Sequence, residues 1–303
     1  MNSLMTGTAD ARETFDRLLG EMRPKLHRYC ARITGSVIDG EDVVQEALAN
    51  AIESFPDAGT ILRAESWLFR IAHNAALDFL RRRARADAAR SDDDPDLVID
   101  PTSAADNRLI AATSLRTFMH LPVAQRSSVI LMDVLGYSLE ETGTIMDASI
   151  PGVKAALHRG RARLRKLTRE PEDVLLPVLA EAERSLLARY VDRFNARDFD
   201  AIRDMLAEEV RLELVNRRRM NGRGEVATYF ENYGRLQDWH VVPGFVDGRA
   251  ALLVHDPGSP SPRPTYFVLL EWAGDRVINI RDFYFARYAA EGAELFAFNE
   301  PTR

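Results

Sequence analysis

The segment GYSLEETGTIMDASIPGVKAALHRGRARLRKL, residues 136–167, predicts two helices joined by a tight turn. Ser138 is followed three residues later by Glu141, which is the capping-box spacing that begins a helix. Asp147 tolerates the left-handed backbone that a short turn requires. Ser149 can then cap a second helix, and Pro151 is harmless in the first turn of that helix. These signals indicate a helix-turn-helix.

The second helix of this motif has an apolar side and a basic side. The inward-facing positions are Val153, Ala156 and Leu157, and the outward-facing basic positions are Lys154, His158, Arg159, Arg161 and Arg165. In a DNA-reading motif, basic side chains neutralise phosphates while the first turns of the helix reach base edges. The alternative is a helical hairpin with a solvated basic tail, because basic residues favour helix C-termini.

A second informative segment is WLFRIAHNAALDFLRRRAR, residues 67–85. On a helix, one narrow stripe contains Trp67, Arg70, Asn74, Asp78 and Arg81. The adjoining face is apolar: Leu68, Ile71, Ala72, Ala75 and Phe79. An aromatic ring beside amide, carboxylate and guanidinium groups suits unpaired nucleic acid, whose bases stack on rings. The alternative is that Trp67 belongs to the core and the arginines only favour the helix end.

Composition limits the function classes. The chain has 303 residues, a net charge of −6 and a single cysteine, Cys30. One cysteine cannot form an internal disulfide and is consistent with a reducing cytoplasm. No apolar run approaches the ~20 residues that cross a bilayer, and the N-terminus has no secretory pattern. The histidines and the cysteine lack metal-ligand spacing. We therefore expect a cytoplasmic protein without a metal, a cofactor or a membrane partner.

Changes in sequence texture divide the chain into four parts. Residues 10–85 and 107–170 have helical patterns. Between them, residues 86–106 hold one basic and seven acidic side chains and two prolines, which predicts a flexible acidic linker. From residue 171 to 303, helices around 174–197, 199–207 and 224–235 are combined with β-type segments such as AALLVHD and TYFVLLEW. We predict two all-α domains followed by an α+β domain.

Four blocks in fixed order resemble a known family. They are GEDVVQEAL (40–48), FPDAGTILRAESWLFRIAHNAALDFLRRR (55–83), LPVAQRSSVILMDVLGYSLEE (121–141) and VKAALHRGRARL (153–164). Together they make residues 13–168 similar to a bacterial sigma factor of the extracytoplasmic-function (ECF) group. The resemblance implies that residues 10–85 are sigma region two and that residues 107–170 are the helix-turn-helix region four. It also implies that core RNA polymerase and promoter DNA are partners and that the chain is not an enzyme.

The resemblance also implies roles for individual residues. The set that docks on RNA polymerase is Asp42, Gln45 and Glu46. The set that opens and reads the minus-ten promoter element, with the 56–63 loop, is Arg63, Trp67, Arg70, Asn74, Asp78, Arg81 and Arg82. The set that reads the minus-thirty-five element is Ser149, Lys154, His158, Arg159 and Arg161. This chain departs from the family at Gly152 and Ala156, where Thr and Arg are common, so its promoter sequence does not follow from the resemblance.

Residues 171–303 resemble a SnoaL-like domain, an α+β cone that encloses a pocket. The residues that we expect to face this pocket are Tyr229, Trp239, His240, Asp282 and Tyr284. The resemblance implies that the domain regulates the sigma regions in cis, through a small-molecule ligand or by binding them directly. The alternative is a SnoaL-type ligand-binding protein or cyclase-like enzyme with a sigma-like accessory region. Arg217–Arg219 form a basic cluster at a predicted hairpin, either as a solvated turn or as a contact for DNA or the acidic linker.

Overall fold

A computed structural model describes residues 8–55, 63–88, 114–168, 178–235, 239–256, 258–259 and 261–298. Contacts divide the chain into two compact units, Met1–Glu172 and Asp173–Arg303. The first unit is all-α and the second is α+β, which confirms the predicted fold class. In the described residues, no helix combines the length and the apolar character needed to cross a bilayer.

Two groups of helices make up the first unit. The first group is α1 (Thr8–Thr34), α2 (Val37–Ser54) and α3 (Ala64–Ala88). The second group is α4 (Leu115–Met119), α5 (Val123–Val129), α6 (Leu139–Met146) and α7 (Ile150–Leu167), with α5 continued by a π-helical turn over Ile130–Val134. Ala86–Ala88 form the last turn of α3, so the helix extends into the predicted linker, because Ala and Arg favour helix. The rest of that linker, residues 89–106, lies outside the described residues.

Close packing of α1 against α2 shapes the first group. A Cβ atom on Gly40 would lie 2.6 Å from backbone atoms of Ala31, so only glycine allows this approach. Arg23 of α1 donates to Glu41 of α2, and both side chains are buried. A buried ion pair of this kind stabilises little by itself, but removing one partner leaves an uncompensated charge.

The two helical groups share one hydrophobic core. This core includes Leu26, Phe69 and Ala72 from the first group and Phe118, Leu131 and Leu164 from the second. Polar contacts cross the same boundary. The Tyr29 hydroxyl donates to Ser127 Oγ at 3.4 Å, and the guanidinium of Arg126 donates to the carbonyl oxygen of Ile33. The two predicted helical domains therefore lie within one compact unit.

The second unit begins with two helices and continues as a sheet. Its elements are α8 (Glu181–Asn195), α9 (Phe199–Asp204), β1 (Leu206–Leu214), β2 (Arg218–Asn221), α10 (Arg223–Arg235), β3 (His240–Val246), β4 (Arg249–His255), β5 (Tyr266–Ala273), β6 (Arg276–Asp282), a 3-10 turn (Tyr284–Ala286), α11 (Tyr288–Glu291) and β7 (Leu295–Ala297). The predicted helix over 199–207 ends earlier, at Asp204. Leu206 is instead a buried residue of β1.

The strands form one sheet in the order β2-β1-β6-β5-β4-β3-β7. β1 and β6 run parallel, and the other paired neighbours are antiparallel. The predicted hairpin at the basic cluster is confirmed as the β1–β2 connection. Aromatic side chains of α8 and α10, including Tyr190, Phe194, Tyr229 and Tyr233, pack on one face of this sheet.

Candidate nucleic-acid interface

The stripe predicted on α3 is exposed to solvent. Arg70, Asn74, Asp78 and Arg81 are exposed, whereas Leu68, Phe69 and Ala72 on the opposite side are buried in the core. Arg81 Nη1 donates to Asp78 Oδ1 at 2.6 Å. The core-facing side therefore fixes the orientation of α3 and leaves amide, carboxylate and guanidinium groups in a row on its outer face.

Trp67 at the head of the stripe is half-buried. Its ring lies 6.3 Å from the ring of Phe15, measured between centroids, and it packs against the core. Arg63, one turn earlier, is exposed. Residues 56–62 of the predicted promoter-opening loop lie outside the described residues. Trp67 thus packs partly against the core, as in the alternative prediction, and the rest of its side chain is accessible to solvent.

His73 lies inside the unit and not on the stripe. The Tyr29 hydroxyl is 2.6 Å from His73 Nδ1, and the same hydroxyl reaches Ser127. Burial lowers the pKa of His73 to about 4, with a smaller contribution from Arg81. The imidazole is therefore neutral at neutral pH, and it links α3 to α1 without presenting a charge to a ligand.

The residues predicted to dock on RNA polymerase lie on α2. Asp42 is exposed, and Gln45 and Glu46 are half-buried. Glu46 Oε2 accepts a hydrogen bond from Arg82 Nη2 at 2.6 Å, and this bond raises the pKa of Arg82. The Glu46–Arg82 ion pair thus joins the predicted polymerase-binding set on α2 to the predicted minus-ten set on α3.

The local geometry of the helix-turn-helix agrees with its sequence signals. The Glu141 N–H donates to Ser138 Oγ at 3.2 Å, and the Ser138 N–H donates to Glu141 Oε2 at 2.9 Å. The bond from the Ser138 N–H lowers the pKa of Glu141. Asp147 adopts left-handed backbone at φ 50° and ψ 48°. Ser149 Oγ accepts from the Gly152 N–H at 3.3 Å. The predicted capping box, turn and second cap are all present.

Three of the basic residues predicted to read the minus-thirty-five element are exposed, namely Lys154, His158 and Arg159. Arg161 differs, because it donates to both carboxylate oxygens of Asp133 at 2.8 and 2.5 Å. The Asp133 side chain is only 1% exposed. Arg161 therefore has a structural ion pair within the unit, which could not be predicted from the sequence, while the other three are exposed to solvent.

The inward-facing residues of α7 are as predicted. Val153, Ala156 and Leu157 are buried. Because position 156 faces the core, the small side chain of Ala156 is explained by packing. Gly152 is exposed in the first turn.

In the second unit, two of the predicted pocket residues, Tyr229 and Tyr284, bond directly to a third, Asp282. The Tyr229 and Tyr233 hydroxyls each donate to Asp282 Oδ2 at 2.8 Å, and the Tyr284 N–H donates to Oδ1 at 2.7 Å. The Tyr266 hydroxyl lies 3.0 Å from that of Tyr233. Burial raises the pKa of Asp282 despite these hydrogen bonds. The result is a carboxyl group enclosed by tyrosines.

The side chains of Trp239, Tyr284 and His240 have other neighbours. The Trp239 ring packs on Phe194 and Tyr233, with centroids 4.9 and 5.5 Å away, under the guanidinium of Arg197. The Tyr284 ring is half-buried and lies beneath Arg287. His240 is exposed at the start of β3, opposite His255. The structure thus does not bring His240 to the carboxyl group.

Comparison with known proteins identifies the family. The Sigma-70 region 2 model matches residues 18–86, the Sigma-70 region 4 model residues 115–164 and the SnoaL-like domain model residues 187–278. The ECF RNA polymerase sigma factor SigM of Mycobacterium tuberculosis is 32% identical over 164 residues, which are 54% of this chain and 82% of SigM. The chain belongs to the ECF RNA polymerase sigma factors.

This sigma factor also has longer relatives. SigG of M. tuberculosis, likewise an ECF sigma factor, is 28% identical over 217 residues. The match covers 63% of this chain and 59% of SigG. The crystal structure of the M. tuberculosis ECF sigma factor SigJ covers 88% of this chain and 95% of its own, at 18% identity and a TM-score of 0.34.

Sequence reasoning about this sigma factor missed residues whose partners are distant in sequence. Tyr29 and Arg126 join the two helical groups, and Tyr233 and Tyr266 complete the surroundings of Asp282. For Tyr233, a signal existed: it follows Tyr229 by four residues, so both rings share one face of α10. For Arg126, the surrounding sequence VAQRSSV gives no comparable signal.

Proposed function

We propose that this ECF sigma factor binds core RNA polymerase, directs it to promoters and helps to melt them. The observation that carries the proposal is the exposed row Arg70–Asn74–Asp78–Arg81 on the outer face of a helix whose other side is core. A core-packed helix orients these groups, and amide and guanidinium groups read the edges of unpaired bases. The place of action would be the cytoplasm, with the polymerase.

The proposal assigns a binding role to residues of α2 and of α7. Asp42, Gln45 and Glu46 on α2 contact the polymerase. Lys154, His158 and Arg159 on α7 hold the phosphates flanking the minus-thirty-five element, while the first turn of α7 faces the major groove. The sigma factor supplies binding energy and orientation and carries out no covalent chemistry.

Run-off transcription with core polymerase on genomic promoter fragments tests this proposal. Asn74→Ala removes a base-reading amide and should reduce the run-off product about tenfold, as expected for one good base contact. Asn50→Ala is a matched control, because Asn50 is also an exposed asparagine on a helix of the same unit. If the full chain supports no initiation on any fragment, or if both variants behave alike, the proposal is wrong.

We further propose that the SnoaL-like domain regulates the sigma regions in cis, with a small molecule as one means of doing so. The boundary between the compact units at residues 172 and 173 supports treating it as a separable module. Comparing run-off transcription by the full chain and by residues 1–172 tests the idea. Equal promoter output from both chains would contradict regulation in cis.

The enzyme alternative has one favourable observation, namely the raised pKa of a buried carboxyl group at Asp282. General acids have this property. However, three hydrogen bonds already occupy the carboxylate oxygens, and the tyrosines that surround it are themselves buried. Their arrangement supports a structural role better than contact with a substrate.

A further inference from the structure

An exposed aromatic ring and an arginine meet at the tip of the β1–β2 hairpin. Leu214 of β1 pairs with Asp282 of β6, which brings the hairpin turn beside the 3-10 turn Tyr284–Ala286. The guanidinium carbon of Arg217 lies 5.5 Å from the centroid of the Phe285 ring. Phe285 is 44% exposed, and Arg217 is exposed too. A phenyl ring is thus held at the surface against a cation.

The contact continues as a row of four side chains, which we call the arginine–aromatic ladder: Arg217, Phe285, Tyr284 and Arg287. The Phe285 and Tyr284 rings meet edge to face, with centroids 4.9 Å apart, and Arg287 lies 4.7 Å from the Tyr284 ring. The row thus has a guanidinium group at each end and two aromatic rings between them.

The sheet beside the ladder adds positive charge. Glu213 of β1 lies between Arg219 of β2 and Arg281 of β6 in the strand register. Its carboxylate is 3.1 Å from Arg219 Nη2 and 3.0 Å from Arg281 Nε. Two guanidiniums and one carboxylate sum to a single positive charge, and Arg217 adds another. Further along, Asp256 lies 3.7 Å from Arg287 and offsets its charge.

We propose that the arginine–aromatic ladder binds single-stranded nucleic acid. A guanidinium pairs with a phosphate while an unpaired base stacks on the Phe285 ring, a combination that suits single strands of any sequence. A duplex offers the phosphates but keeps its base faces stacked. An acidic peptide uses the arginines but gives the ring no partner. The surface lies in the SnoaL-like domain, outside the regions that the proposed function uses, and it does not depend on that function.

Photocross-linking to the full chain tests the proposal. The probe is an oligothymidine of about 20 nucleotides carrying 5-iodouracil, which links to nearby aromatic rings on irradiation. Trypsin cuts after arginine, so a ladder cross-link appears in the peptide DFYFAR, residues 282–287, and one on α3 appears in AESWLFR, residues 64–70. Labelling of DFYFAR supports the ladder. Labelling of AESWLFR alone overturns it and leaves the proposed promoter function intact.

Charge variants sharpen the test, because they leave the photoreactive ring in place. Arg217→Gln should lower labelling of DFYFAR about tenfold, since stacking and phosphate binding act together, and should leave AESWLFR labelled. Arg189→Gln is the matched control, an exposed arginine on α8 of the same unit. Equal labelling of DFYFAR in both variants overturns the proposal.

Competitors separate the kinds of partner. Unlabelled oligothymidine should displace the probe from DFYFAR at least tenfold better than an abasic strand of equal length and charge. Equal competition by the abasic strand, or stronger competition by a polyglutamate peptide, identifies an anion or acidic-peptide surface and overturns the proposal.

Discussion

His73 couples the stability of the first unit to pH. Its pKa in the folded chain, about 4, lies below the unfolded value near 6.5, because burial disfavours the charged ring. Below pH 6.5 the unfolded chain therefore binds more protons than the folded chain, and stability falls. We expect His73 to lower the free energy of unfolding by about 2 kcal/mol when the pH falls from 7.5 to 5.

The His73→Gln variant isolates this effect, because buried His27, whose pKa burial also lowers, is unchanged in it. The variant should lose less stability than the parent over the same pH range. Hydrogen-exchange mass spectrometry of peptides from residues 8–168 measures the two slopes. Parallel pH profiles would mean that His73 is not the responsible group.

Asp282 should give the opposite pH dependence in the second unit. Its pKa is raised in the folded chain, so folding favours the protonated carboxyl group. This stabilising contribution is present at pH values below the pKa of Asp282 in the unfolded chain. It is lost as the pH rises through the pKa of Asp282 in the folded chain. The neutral variant Asp282→Asn should remove this dependence from exchange in residues 178–298. It should also cost about 1–3 kcal/mol, because an amide cannot accept from both tyrosines and the Tyr284 N–H.

At the scale of the element, α7 contains a matched pair of arginines two positions apart. Arg159 is exposed, whereas Arg161 holds the buried Asp133. Arg159→Ala should reduce the slope of log affinity against log salt for promoter DNA by about 1, with no change in stability. Arg161→Ala should leave that slope unchanged and cost about 3 kcal/mol of stability, because it leaves Asp133 unpaired.

Fluorescence anisotropy of a labelled promoter duplex with the sigma–polymerase complex measures the slopes, and urea unfolding measures the stabilities. Reversal of the two phenotypes would show that Arg161 leaves Asp133 to contact DNA. Equal salt slopes in the parent and both variants would contradict a phosphate contact on this face of α7.

The helix-turn-helix also shows why some features could be predicted from the sequence. The bonds of Ser138 and Ser149 join residues three positions apart, and the conformation of Asp147 is local, so a short segment contains all the information. Arg161 and Asp133 are 28 residues apart, and their meeting depends on how α7 packs against the π-helical turn. The exposed stripe of α3 was predictable for the same reason as the caps, because helical periodicity decides it.

At the scale of the whole molecule, the shared core of the first unit predicts cooperative unfolding. Buried Arg126 binds the carbonyl oxygens of Ile33, Met119 and Leu121, and burial lowers its pKa to about 10. Arg126→Met removes the donor and leaves buried acceptors unsatisfied. We expect a loss of about 3 kcal/mol, felt equally by both helical groups because they unfold together.

Hydrogen exchange again provides the measurement. Slow amides in α2 and in α7 should accelerate together in the Arg126→Met variant. The control is Arg116→Met, which alters a half-buried arginine on the neighbouring helix α4. Acceleration confined to α7 would show that the two groups unfold independently despite their common core.

The domain organisation shows the limit of sequence reasoning at this scale. Strand patterns occur only in the sequence after residue 170, and the division between the two compact units falls at residues 172 and 173. No comparable sequence pattern predicts the association of the two helical groups. It rests on pairs such as Tyr29 with Ser127 and Phe69 with Tyr137, whose side chains are ordinary core residues until both groups are seen together.

The same association has a consequence for the timing of synthesis. Ser127, which Tyr29 contacts, is synthesised 98 residues after it. A ribosome adds about 5–20 residues per second. The ring that Phe69 contacts, that of Tyr137, is synthesised 68 residues after Phe69, so the Phe69 side of α3 stays uncovered for roughly 3–14 s. During that interval the nascent chain offers a transient apolar surface, so slowing translation between codons 88 and 115 should increase its capture by chaperones.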